Sequence, residues 1–166
     1  MTPGPFAAAI AEGAFAYLQR PNQVTGGPMY PSVPTPCVAA PGGVLQGRFG
    51  FYDPSTQYVW NVPTGTTRLV GVVLPQRGTW QRLYLDPVAG GWRVRAGYPV
   101  TVCTGGGFWL RFPGGAVAGQ ACYASTVDGT AISGQSTNSV ATPWKVCSNA
   151  EPGGLAQVSS TAQFGA

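Results

Sequence analysis

Side-chain catalysis needs a base, a nucleophile or two carboxylates held together, and few residues of this chain could supply one. The acidic residues are five: Glu12, Asp53, Asp86, Asp128 and Glu151. Asp53, Asp86 and Glu151 each precede a proline, and Asp128 precedes Gly129. These are turn dipeptides in which an Asp side chain caps its own backbone, so only Glu12 lacks an evident turn role and a glycosidase-like carboxylate pair has little support. The chain has no His, which removes Ser-His-Asp and Cys-His arrangements. The single Lys, Lys145, has Thr142 where a Ser-x-x-Lys nucleophile would stand. Glycine clusters at 105–107, 114–115 and 153–154 match neither a phosphate-binding loop nor a dinucleotide fingerprint and read as turns. The expectation is a non-enzyme without catalytic residues or a cofactor.

Cys37, Cys103, Cys122 and Cys147 contain no C-x-x-C pair. With no His beside them, no metal site is expected. Three lie in apolar runs (VTVC, QACYA, WKVC), where a reduced Cys behaves as a small buried hydrophobe. Basic residues are Lys145 and eight arginines, giving a formal charge of +4. The arginines, at 20, 48, 68, 77, 82, 93, 95 and 111, are scattered, whereas a nucleic-acid site needs a dense basic stripe. Direct nucleic-acid binding is therefore not expected. Arginine and aromatics without lysine are what buried protein interfaces enrich. The tryptophans, Trp60, Trp80, Trp92, Trp109 and Trp144, admit a carbohydrate platform, but the amides and carboxylates that hold a sugar are scarce, and core or interface packing is the stronger reading.

The elements that would position these residues are strands. With 25 Gly and 16 Pro in 166 residues, but 44% hydrophobic residues, the chain is too interrupted for long helices and too apolar for disorder. Residues 1–43 read as an extended N-terminal arm with a possible short helix at its Ala-rich start. Its apolar side chains need something to pack against, either their own domain or a neighbour. The N-terminal stretch lacks a basic n-region, carries Glu12 and is too short to span a bilayer, so neither a signal peptide nor a membrane segment is expected.

From Val44 to the end, runs of Val, Thr and aromatics bounded by Gly, Pro, Asn or Asp recur about every ten residues, as in sandwiches and barrels. The runs are 44–52, 57–62, 67–74, 80–85, 91–96, 99–103, 108–112, 120–124, 130–133, 143–147 and 155–159. The expected fold is all-β, a β-sandwich or jelly-roll-like barrel over residues 44–166. LVGVVL (69–74) is apolar on both faces and reads as a central strand. Arg93 and Arg95 alternate with Trp92 and Val94, and Arg111 with Leu110 and Phe112, which places these arginines on outward faces.

The order of short motifs in the C-terminal two-thirds resembles the phage structural cement, or capsid decoration, protein family. LVGVVLP (69–75), GYPVTVCTGGGFWLRFPGGAVAGQACYASTVDGTAISG (97–134) and TPWKVCSNAEPGGLAQVS (142–159) carry the likeness, and the opening FAAAIAEGAF is similar to the family's small-residue N-terminus. Departures are Gln120 and Cys122, where an acidic residue and a Val are expected, and an insertion around residues 76–96 that could form an extra hairpin. The resemblance implies a β module, homo-oligomeric as a dimer or trimer, on the outer surface of a tailed-phage capsid and bound to the major capsid protein. On that reading Phe6, Ile10, Phe15, Tyr17, Arg93, Arg95 and Arg111 are candidate contacts with neighbouring subunits. The alternative is a carbohydrate- or receptor-binding module of a phage tail or head fibre.

Overall fold

A computed structural model describes residues 37–65, 67–74 and 83–160 of the chain. Along the sequence the strands are β1 (Val38–Ala39), β2 (Val44–Leu45), β3 (Phe49–Asp53), β4 (Tyr58–Trp60), β5 (Arg68–Val73), β6 (Leu83–Asp86) and β7 (Gly91–Val94). They continue with β8 (Val102–Cys103), β9 (Gly107–Phe112), β10 (Ala121–Ser125), β11 (Ala131–Ser133), β12 (Ser139–Val146) and β13 (Gly154–Ser159). No helix occurs among the described residues, and the fold is all-β.

The strands form three sheets, ordered β1-β4-β3-β5-β8, β11-β10-β12-β13-β9 and β2-β7-β6. The first is the middle layer. Because side chains alternate across a strand, Phe49 and Phe51 of β3, Val72 of β5 and Cys103 of β8 join one buried cluster with Phe108, Leu110, Trp144 and Val158 of the second sheet. Tyr52, Val73 and Val102, one residue along in the same strands, join the other cluster with Val44, Val94 and Leu83 of the third sheet. A strand covered on both faces must be apolar at every position, which is why LVGVVL does not alternate.

Two glycines relieve crowding within the middle sheet. Gly50 and Gly71 pair across β3 and β5 beside a bulge at Val70. A Cβ on Gly50 would come within 2.9 Å of Val59, and one on Gly71 would run into the carbonyl of Cys103. The second sheet rolls up so that its end strands β9 and β11 pack against each other, giving a curled half-barrel. Within it, Pro143 sits where the β10–β12 register slips, the position at which a strand tolerates a missing donor. The Thr142 hydroxyl bridges the slip, donating to the Cys122 carbonyl (2.6 Å) and accepting from the Trp144 amide (3.2 Å). Trp144 then crosses the core, edge-on to Phe49 (5.7 Å) and Phe108 (6.4 Å), and its indole N–H donates to the Gly106 carbonyl (3.0 Å).

A polar node joins all three layers where the chain passes from β2 to β3. One amino group of Arg48 donates to the Asp128 carbonyl (3.2 Å) in the β10–β11 turn and lies 3.8 Å from the Asp128 carboxylate. Its other amino group donates to the Ala89 carbonyl (2.9 Å) in the β6–β7 turn. The Asn61 amide substitutes for a neighbouring strand, its oxygen accepting from the Leu45 N–H (2.7 Å) and its nitrogen donating to the carbonyls of Leu45 (3.3 Å) and Phe49 (3.2 Å). Gly129, at φ +74°, fits here because any side chain would strike the carbonyls of Asn61 (2.7 Å) and Phe49 (2.8 Å).

Residues 37–43, within the expected arm, lie in the folded body. β1 pairs in parallel with β4, and Cys37, Ala39 and Ala40 are small enough to be buried in the layer under the third sheet. The remainder of the expected arm, residues 1–36, lies outside the described residues.

Two outcomes follow. Replacing Trp144→Phe removes the bond to Gly106 and part of a ring from the core, and is expected to lower unfolding free energy by about 2 kcal/mol in urea titrations. Burial pushes the Asp128 carboxyl up, but hydrogen bonds from Thr130 and Ser125 and the charge of Arg48 outweigh it and hold the group below its ordinary value. A depressed carboxylate contributes stability that is present above its unfolded pKa and is lost as pH falls through the folded one. The thermal midpoint is therefore expected to be level above about pH 5 and to fall below about pH 4. Asp128→Asn should flatten that acid limb while lowering the plateau.

Candidate interaction surface

The aspartates fill the roles their dipeptides predict. Asp53 accepts from the Ser55 amide (2.9 Å) and hydroxyl (2.7 Å), Asp86 from the amides of Val88 and Ala89 (both 3.0 Å), and Asp128 from the Thr130 amide (3.0 Å) and hydroxyl (2.7 Å). Each of these aspartates caps its own turn, Glu151 is exposed in the β12–β13 turn, and Glu12 lies outside the described residues. All four cysteines are free thiols, three of them buried. Burial pushes Cys37 and Cys103 up to about 11 and Cys122 to about 12, so at neutral pH they are protonated core groups.

The described tryptophans do not share a platform. Trp144 is in the core, Trp60 lies on the middle sheet, Trp109 on the outer face of the curled sheet and Trp92 on the third sheet. Trp80 lies outside the described residues. What the surface offers instead is the β6–β7 hairpin, within the segment that departs from the resembled family.

Its turn is set by Asp86-Pro87, with the Gly90 N–H donating to the Asp86 carbonyl (2.8 Å). The register Leu83↔Val94, Tyr84↔Arg93, Leu85↔Trp92, Asp86↔Gly91 divides the ribbon into two faces. Leu83 and Val94 point at the middle sheet and are packed. Leu85 and Trp92 share that face nearer the tip, yet are 57% and 37% exposed, and Val88 in the turn is 96% exposed. Water thus meets a contiguous apolar edge that a solitary domain gains nothing by exposing.

The other face is polar and internally satisfied. Arg93 is clamped to Asp86 through Nε (2.9 Å) and Nη2 (2.7 Å) and donates to the carbonyls of Gly42 (3.3 Å) and Gly43 (3.4 Å). The Ala89 amide, the Arg93 guanidinium and the Val88 amide together hold the Asp86 carboxyl below its ordinary range, against a smaller desolvation effect. Arg95 is exposed, its guanidinium 5.1 Å from the centre of the Tyr84 ring, a cation–π contact.

The structure therefore separates the candidate contact residues. Arg93 and Arg95 lie on the third sheet, and Arg93 ties the hairpin to the 42–43 turn. Arg111 is on the curled sheet, opposite Leu155, and donates to the Gly153 carbonyl (2.7 Å). With the middle sheet between them, Arg111 and the other two face opposite sides of the body. Phe6, Ile10, Phe15 and Tyr17 lie outside the described residues. Leu85, Val88 and Tyr84 were not singled out by alternation; the signal that marks them is a Leu-x-Leu run leading into an Asp-Pro turn with Val88 at its tip.

A search of the curated proteins finds no match. The family model described as XM1 gp53 minor capsid protein matches residues 6–160, nearly the whole chain and including every described strand. That match makes this all-β body a phage capsid-associated protein, and the chain belongs to the XM1 gp53 minor capsid protein family.

Proposed function

We propose that this minor capsid protein is a decoration, or cement, protein. It binds the outer surface of the assembled head and holds neighbouring major capsid protein subunits together, working by binding and not by catalysis. The observation that carries the reading is the family match over residues 6–160, supported by the order of cement-like motifs in the sequence.

The physical logic is linkage. A ligand that binds the expanded shell but not its separated subunits stabilises the shell by its binding free energy. Many symmetric copies turn a modest affinity per site into high avidity. A body whose turns and layers are closed by internal hydrogen bonds suits this role, since pre-ordered groups lose little conformational entropy on docking. The low charge, with ion pairs such as Arg93–Asp86 closed within the chain, favours contacts through apolar and Arg-aromatic groups over long-range steering.

Co-sedimentation with expanded capsids lacking the protein tests this. Saturable binding is expected, together with a higher temperature for release of packaged DNA from decorated heads. Absence of binding to the shell, with the protein instead retained on tails or on host glycans, would contradict the proposal and support a fibre-borne receptor-binding role.

A further inference from the structure

Every strand at the edge of a sheet presents unpaired backbone groups, and proteins usually cover them. Among the described residues, one edge of the third sheet is covered and the other is not. At the β2 edge the outward N–H and C=O of Leu45 are both taken by the Asn61 side chain. At the other edge β6 pairs with β7 alone among the described strands.

Which β6 groups point outward follows from the neighbouring register. The Gln46 N–H donates to the Trp92 carbonyl (2.9 Å), so Trp92 and Val94 direct their backbone groups at β2, while Arg93 and Gly91 direct theirs at β6. Their partners Tyr84 and Asp86 are thereby satisfied, and the N–H and C=O of Leu83 and Leu85 face away from the sheet.

This edge is complementary to itself. We infer that two copies of the chain associate through β6, antiparallel about a two-fold axis at Tyr84, joining two three-stranded sheets into one of six strands. In that register Leu83 of one copy lies opposite Leu85 of the other, and both present outward groups, so four backbone hydrogen bonds close with none left over. Tyr84 meets its own symmetry mate at the close, non-hydrogen-bonded position, where aromatic cross-strand pairs are favoured. The same register sets the exposed Leu85 side chain beside Leu83 of the second copy, whose own side chain is packed. A shift by one residue would instead face Leu83 and Leu85, with their outward groups, against positions whose groups point inward. The occupant is thus a second copy of this chain. The inference concerns the free protein and does not rest on capsid binding.

Two variants of the full-length protein test it, alongside sedimentation of the unaltered chain. Leu85→Pro deletes an N–H that the hairpin does not use, so circular dichroism and thermal midpoint should be retained while dimerisation weakens about thirtyfold, two hydrogen bonds being lost per dimer. Tyr84→Cys places two thiols at a Cα separation of about 4.5 Å, within disulfide range. It should cross-link to a dimer under mild oxidation, whereas the unaltered chain and Val88→Cys should not. The cross-link decides the matter if Leu85→Pro fails to fold. A monomer at all concentrations, a trimer, or a dimer that neither responds to Leu85→Pro nor cross-links through Tyr84→Cys would overturn the inference.

Discussion

Burial of one sheet on both faces is the constraint on which the rest of this structure depends. β3 and β5 carry Phe49, Phe51 and Val72 into one core and Tyr52 and Val73 into the other. Each such side chain contributes about 1.5–3 kcal/mol on burial, but only if a layer lies on its side of the sheet. The curled sheet supplies one cover and the small third sheet the other. The glycines at 50 and 71 answer to crowding within that sheet, where a Cβ would strike Val59 and Val73 or the carbonyl of Cys103 on its own strands. The Arg48 and Asn61 node follows from the layering: three layers meeting at one crossover leave backbone carbonyls in a confined space, and long polar side chains satisfy them.

Much of this architecture was legible in the chain. The turn dipeptides placed the aspartates correctly because an Asp-Pro or Asp-Gly turn is a local device. The unbroken apolar run at 69–74 identified a strand with two covered faces, which β5 is. Three things were not legible. The place of residues 37–43 in the body was hidden because the proline-rich surroundings resemble an arm, while the burial of Cys37, Ala39 and Ala40 depends on distant strands. Arg93 alternates like a surface residue, yet its guanidinium is held by Asp86 and the 42–43 carbonyls, contacts set by the meeting of two turns far apart in sequence. Arg111 belongs to a separate surface from Arg93 and Arg95 because the order of the sheets, which no local pattern encodes, puts the middle sheet between them.

The division of labour in the molecule follows. Most polar side chains with defined partners work internally, capping turns or tying layers, and leave little charge to spare. Among the described residues, what stays open is the exposed apolar tip at Leu85 and Val88 and the β6 edge of the third sheet. A protein that must sit at defined positions on a large symmetric shell benefits from such a body, because its binding energy is not spent on ordering itself.

Electron cryo-microscopy of the intact particle, compared with a particle from which this chain is deleted, tests the proposed role most directly. The account predicts density on the outer face of the head that fits the three-layer body, bridges adjacent major capsid protein subunits and disappears on deletion. Density at the tail or neck, or on the inner surface of the shell, would contradict it.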